Sequence, residues 1–213
     1  MKPYYEHAGI TIYHGDCRDI GVDPALIGAV VTDPPYGINW KPRVNNRDSS
    51  WKDEARENLT RWLMASPKMC VWGGNYYADQ LPPSEAWLVW LKRPQGFDDD
   101  PRTYSVLEMA WTNYGGKPRT KTFVWDGGKR AGDAINRTFC HPAQKPLEVM
   151  RWSIVRAGDI HGCIVDPYMG SGTTLEAAKA LGHHAIGIEI DERYCEIAAR
   201  RLQQEVLPLE MPA

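Results

Sequence analysis

Long apolar runs are missing from this chain. No stretch approaches the roughly 20 residues needed to cross a bilayer, and no apolar core follows Lys2 as it would in a secretory leader. No membrane partner is expected. Cysteine is scarce: Cys17, Cys70, Cys140, Cys163 and Cys195 form no C-x-x-C pair and mostly lie in apolar surroundings, which suits reduced thiols in a cytoplasm, that of a host cell if the chain is phage-encoded. Internal repeats and low-complexity tracts are also absent. The pair His183-His184 has no third ligand at metal spacing, so a metal centre is not expected. What remains is one compact domain over 1–213, with 43% apolar residues to bury. Pro208 stops the last helix and leaves a tail to Ala213 with little to hold it.

An excess of positive charge is missing too. A net charge of -2 and a pI near 6.3 are not what a nucleic-acid surface suggests. The distribution answers part of this. Lys117, Arg119, Lys121, Lys129, Arg130, Arg137, Lys145, Arg151 and Arg156 face only Asp126, Asp133 and Glu148 between Gly115 and Arg156, so a basic face fits inside a neutral total. A solvated loop with scattered charge is the plainer account. Gly37 to Glu57 is a second polar run, with Lys41, Arg43, Arg47 and Lys52 and few apolar anchors, and is expected to be mobile without nucleic acid.

The most informative segment present is Val30-Val31-Thr32-Asp33-Pro34-Pro35-Tyr36. An apolar strand ends at an acid, two prolines and an aromatic. Proline has a fixed φ and no N–H, so the pair holds the turn extended and leaves the Pro34 carbonyl free to accept. Asp33 adds an anionic acceptor and Tyr36 a flat ring. Two acceptors and a stacking platform within four residues suit the exocyclic amine of a nucleobase. Four such letters arise by chance in about one chain in a thousand of this length, so a plain structural turn is the weaker reading.

A second segment runs strand, glycine turn, helix: Gly162 to Val165, then Asp166-Pro167-Tyr168-Met169-Gly170-Ser171-Gly172-Thr173-Thr174, then Leu175 to Leu181, closed by Gly182. Gly170 and Gly172 let backbone approach a ligand, and the helix behind presents free N–H groups. The next strand, His184 to Glu189, ends in an acid where doubly wound folds hold a ribose diol. The third glycine of the dinucleotide fingerprint and the lysine of a phosphate loop are both missing, which argues against NAD and ATP. Asp166 repels a pyrophosphate and welcomes an ammonium, so the ligand expected is a nucleoside carrying an amino acid.

The remaining elements alternate. Thr11–Tyr13 and Ala29–Val31 are expected as strands, Asn58–Met64 as helix and Met69–Trp72 as strand, the pattern of a doubly wound, mostly parallel α/β sheet. Ala86–Leu91 and Ser105–Trp111 follow without a helix between them and predict a hairpin at the sheet edge, while Pro146–Arg156 and Glu192–Glu205 have helical spacing. Trp62, Trp72, Trp87, Trp90 and Trp152 lie in apolar runs and are expected in the core; Trp40 and Trp51 sit in the polar run, where base stacking competes with plain exposure. Asp98-Asp99-Asp100 is expected as a solvated turn.

With these two motifs the chain resembles the amino-group DNA methyltransferases, which methylate N6 of adenine or N4 of cytosine from S-adenosylmethionine. Further pieces match in order: His14-Gly15-Asp16-Cys17, Val71-Trp72-Gly73-Gly74-Asn75 and His141-Pro142-Ala143-Gln144-Lys145-Pro146, so the match spans about His14 to Leu202. The catalytic motif precedes the cofactor motif, the order of the family's beta group. The resemblance implies a Rossmann-like methyltransferase sheet with an antiparallel edge strand. It makes Asp33, Pro34, Pro35 and Tyr36 catalytic, with Asp33 also near the cofactor. It places Asp166 against the methionine part of S-adenosylmethionine, Glu189 against the ribose, Asp16 against the adenine and Lys145 against the carboxylate, with Tyr168, Gly170, Ser171, Gly172 and Thr173 completing the cofactor turn. His141 is placed near the cofactor, in a role that is structural as readily as catalytic.

The implied reaction is direct attack by a flipped-out base on the sulfonium methyl. Asp33 and the Pro34 carbonyl would hold the amine pyramidal, with its lone pair available. An acid at the first motif position is the form common among adenine enzymes of the family, so N6-adenine methylation of DNA, of the restriction-modification kind, is expected. N4-cytosine methylation, RNA methylation, a non-catalytic nucleic-acid module keeping the fold and, more distantly, a nicotinamide oxidoreductase are the alternatives. About 115–140 is left for target recognition, short enough to imply a brief or loosely read site, which a homodimer would extend.

Overall fold

The computed structural model describes residues 2–39, 56–92, 105–126, 129–130 and 144–203. Its centre is strand β3 (Ile27–Thr32), buried at every position, as expected of a parallel strand covered on both faces. On one side β3 pairs in parallel with β10 (Cys163–Asp166). Beyond it lie β11 (Ala185–Glu189) and β2 (Ile10–His14), also parallel, and β1 (Tyr5–His7) closes that edge antiparallel. On the other side β3 pairs in parallel with β4 (Met69–Trp72). There follow β6 (Leu107–Thr112), antiparallel to β4, then β5 (Trp87–Leu91), antiparallel to β6, and β7 (Arg119–Thr122), parallel to β5. A separate two-stranded ribbon joins β8 (Trp125–Asp126) to β9 (Lys129–Arg130).

Strand alternation divides the core in two. Val31, Cys70, Ile164 and Trp72 pack under α2 (Leu147–Ala157), α3 (Thr173–Ala180) and α4 (Glu192–Gln203), whereas Val30, Val71 and Val165 pack with Trp62 of α1 (Thr60–Ala65). A one-residue slip of β3 would exchange the two sets, so burial fixes the register. Each fully buried aliphatic side chain stabilises this arrangement by about 1.5–3 kcal/mol relative to exposure. Helix α1 is too short to stand alone. Burial of Trp62 holds it, and so does Arg61, whose guanidinium donates to the carbonyls of Cys17 (2.8 Å), Arg18 (3.3 Å) and Ile20 (2.8 Å).

The expected elements recur with ends shifted by one or two residues. The expected hairpin is present as β5–β6, but it is not the last element: β7, exposed at all four residues, continues the sheet beyond it, and the antiparallel edge strand is β1. Trp62, Trp72 and Trp90 are buried; Trp87 and Trp152 are partly so and pack on the two cores. Trp40, Trp51, Asp98 to Asp100, Arg137, Cys140, His141 and the tail after Gln203 lie outside the described residues. Among the described residues no helix is long and apolar enough to cross a membrane, and no His/Cys/Asp/Glu cluster could hold a metal.

Candidate active site

From β10 the chain crosses through α3 to β11 on one side, and from β3 it crosses through α1 to β4 on the other. The two strands lie side by side, Val165 opposite Val30, so their carboxyl ends open at a switch point, where doubly wound sheets bind ligands. The diproline corner leaves β3 there and the glycine turn leaves β10 there. A hydrogen bond joins the roots of the two motifs: Thr32 Oγ1 donates to Asp166 Oδ1 at 2.7 Å, with both residues buried.

At the diproline corner, Asp33 is held from two sides. Tyr36 Oη donates to its Oδ1 at 2.5 Å and Lys145 Nζ to its Oδ2 at 2.5 Å. Burial pushes the Asp33 carboxyl up and Lys145 opposes this, leaving it above the ordinary carboxylate value. No described residue donates to the Pro34 carbonyl, while the Pro35 carbonyl accepts from the Tyr77 hydroxyl. The Tyr36 ring is already stacked: Tyr76 lies 4.8 Å away at 20°, with part of its own ring exposed. Gly73 makes this placement possible, since a Cβ there would collide with the Tyr36 ring and its φ of 69° is in the left-handed region. Tyr36 and Gly73, from two separate motifs, are thus two sides of one contact.

Lys145 precedes Pro146, the N-cap of α2. The family resemblance implied a place at the cofactor carboxylate; the structure sets its ammonium against Asp33 and, at 3.0 Å, against Glu108 Oε2 of β6. Glu108 in turn meets Lys92 Nζ at 2.5 Å through Oε1. Burial opposes charge on both Lys145 and Glu108, and the neighbouring opposite charges outweigh it, raising the lysine and lowering the glutamate. Sequence reading missed Glu108 and Lys92. The available signal was one acid interrupting the apolar run of β6.

At the glycine turn, Asp166 is turned inward. It accepts from Thr32, from Thr174 Oγ1 at 2.5 Å and from the Tyr168 N–H at 3.1 Å, and burial pushes it up to about 6. It ties the turn to the sheet, and its expected contact with a ligand ammonium is not the contact this arrangement offers. Gly172, φ 82°, has a second reason beyond ligand approach: a Cβ there would meet Ala198 of α4 at 2.8 Å. Arg201 of α4 clamps the turn, donating to Ser171 O (2.6 Å), Ser171 Oγ (3.0 Å) and Thr173 Oγ1 (3.5 Å), and pairs with Glu176. No side chain caps the start of α3.

Glu189 ends β11, and Asp16 follows the end of the neighbouring β2 on the same edge. Glu189 accepts from the N–H groups of Gly170 (2.9 Å) and Asp191 (2.8 Å), and burial pushes it up to about 7. Asp16 is half-buried and paired with Arg18, whose hydrogen bonds hold its carboxyl below the ordinary value. The site therefore offers a diol acceptor, an acidic rim and a glycine turn with no lysine, a donor set that fits a nucleoside bearing a cationic amino acid. The exposed Lys117, Arg119 and Lys121 stand on and before β7, with Lys121 Nζ 4.9 Å from the centre of the Phe123 ring.

The model of a family described as DNA methylase, N6_N4_Mtase, matches residues 84–200. Type II methyltransferase M.ScaI of Streptomyces caespitosus is 27% identical, over 98% of this chain and 86% of the relative. Type II methyltransferase M2.LlaDCHI of Lactococcus lactis subsp. cremoris is 24% identical, over 95% and 93%. Among solved structures, the M1.HpyAVI–SAM complex is 25% identical with a TM-score of 0.53, over 90% of this chain and 99% of that one. PvuII DNA methyltransferase (cytosine-N4-specific) shares the fold at a TM-score of 0.61 and 14% identity, over 97% and 90%.

Proposed function

The chain belongs to the N6/N4 DNA methylase family, and we propose that within it the protein transfers a methyl group from S-adenosylmethionine to N6 of adenine in DNA. The observation that carries this reading is the Thr32–Asp166 bond, which sets the amine-accepting corner and the nucleoside-accepting turn side by side at one switch point. The acid Asp33 at the head of the corner favours adenine, by the residue preference of the resembling enzymes. The type II methyltransferases among the relatives and the S-adenosylmethionine complex among the structural neighbours support the donor, DNA as partner and an intracellular, restriction-modification setting.

S-Adenosylmethionine, when bound, supplies a methyl activated by a sulfonium. Glu189 would hold its ribose, Asp16 its adenine and the Gly170-Ser171-Gly172-Thr173 backbone its amino-acid end, with Tyr168 beside them. Asp166 acts from beneath, fixing the turn. Asp33 and the Pro34 carbonyl accept the two N–H groups of the flipped base, and Pro35 keeps the corner rigid. Placement of the amine and electrostatics would then supply most of the acceleration of methyl transfer. The segment 115–140, with β7 and the β8–β9 ribbon, is assigned to target reading within a single catalytic domain over 1–213.

Plasmid DNA methylated in vitro and digested to nucleosides tests this by mass. N6-methyladenine is expected. N4-methylcytosine would overturn the base assignment, and no methylated nucleoside would overturn the reaction.

A further inference from the structure

We propose that Glu108 is a positioning residue for methyl transfer: through Lys145 it sets the orientation and charge balance of the Asp33 carboxylate that receives the target amine. The inference rests on the function proposed above.

Four ionic groups from four parts of the chain form one alternating row. Lys92 Nζ is 2.5 Å from Glu108 Oε1, Glu108 Oε2 is 3.0 Å from Lys145 Nζ, and Lys145 Nζ is 2.5 Å from Asp33 Oδ2. Topology creates the row. β6 runs antiparallel to β4, so Glu108, near its start, stands at the edge where β3 ends, and Lys92 follows the end of the neighbouring β5. Lys145 is only 9% exposed and Glu108 23%, so these charges act on each other through a medium that screens poorly.

An ammonium bonded to Asp33 alone would draw on the oxygen that must accept an N–H from the amine. Shared with Glu108, the same ammonium fixes Asp33 Oδ2 while taking less of its charge. The row matters more as the reaction proceeds. Positive charge leaves the sulfonium as the N–C bond forms and the S–C bond breaks, and it appears on the methylated nitrogen beside Asp33 until a proton departs to solvent. An uncompensated Lys145 would repel that charge; Glu108 compensates it, and Lys92 keeps Glu108 from overcompensating.

Other groups face Asp33 as well. Tyr36 and Tyr77 stand far above their ordinary values through burial, and Cys70 is pushed up to about 12, so none of them titrates in the working range. Asp166, at about 6, is bonded to Thr32 and Thr174 and makes no bond to the row, and the Asp33 charge is one of the causes that raise it.

The test is the pH dependence of kcat in two variants, with donor affinity measured by calorimetry. Glu108→Gln leaves the Lys145 charge on Asp33 alone, so kcat should fall by up to about 100-fold; it also removes an anion that raises Asp33, so the acid limb should move to lower pH, with the donor Kd nearly unchanged. Lys92→Met lets Glu108 draw Lys145 from Asp33, so the acid limb should move to higher pH. Displacements of these two signs support the proposal, and the reversed pair overturns it. A loss of rate in either variant with the limb unmoved, or displacements of the same sign, overturns it while leaving the methyltransferase reading intact. A wild-type protein that transfers no methyl overturns both.

Discussion

Thr32 Oγ1 lies 2.7 Å from Asp166 Oδ1, and each residue immediately precedes or opens one of the two motifs. The bond is buried and local to the switch point, so it fixes the distance between the corner that would receive the amine and the turn that would receive the donor. Removing it leaves a buried carboxylate short of one partner, which costs about 1–3 kcal/mol. Thr32→Val should therefore lower the unfolding free energy by that amount, read as a lower denaturant midpoint at constant m-value. An unchanged midpoint would show that Thr174 and the Tyr168 N–H satisfy Asp166 without it.

Asp33 is the anionic acceptor of the corner. Asp33→Ala should abolish methyl transfer in a radiolabelled-methyl assay while the thermal shift on adding S-adenosylmethionine persists. Full turnover would remove Asp33 from the mechanism. Loss of the thermal shift would place it in the donor site instead.

Gly73 is where the Tyr36 ring comes to rest. Gly73→Ala would put a methyl into that ring and strain a backbone at φ 69°, so Tyr36 must move, and with it the hydroxyl bonded to Asp33. A displacement of about 1 Å can cost up to 100-fold in rate. The expected outcome is a large fall in kcat with donor Kd nearly constant; equal losses in both would show collapse of the whole edge.

Glu189, raised by burial to about 7, must be ionised to accept from both hydroxyls of a diol. Donor affinity should be flat above pH 7 and weaken by up to about tenfold per unit as pH falls below it, because the free protein must release a proton to bind. Glu189→Gln should bind weakly and without that slope between pH 5 and 7. A wild-type affinity independent of pH across this window would contradict the assignment.

Much of this protein was legible in one dimension, for reasons that are local. The diproline rigidity of Pro34-Pro35, the glycine turn at Gly170 to Gly172, the apolar runs of β3 and β4 and the helical period of α2 and α4 follow from backbone chemistry and side-chain spacing, and they made the fold class and the two halves of the candidate site legible. Where charges meet was not legible, because that depends on which strands become neighbours. Glu108 reads in sequence as one acid in an apolar strand, and Lys145 as a cation ahead of a helix. Only the antiparallel course of β6 sets the two together beside Asp33. Asp166 reads as a ligand-facing acid, and only the closeness of β3 to β10 turns it into a buried tie. Spacing along the chain determines local conformation; strand order, selected by burying both faces of the sheet, decides which distant ionic groups share a poorly screened pocket.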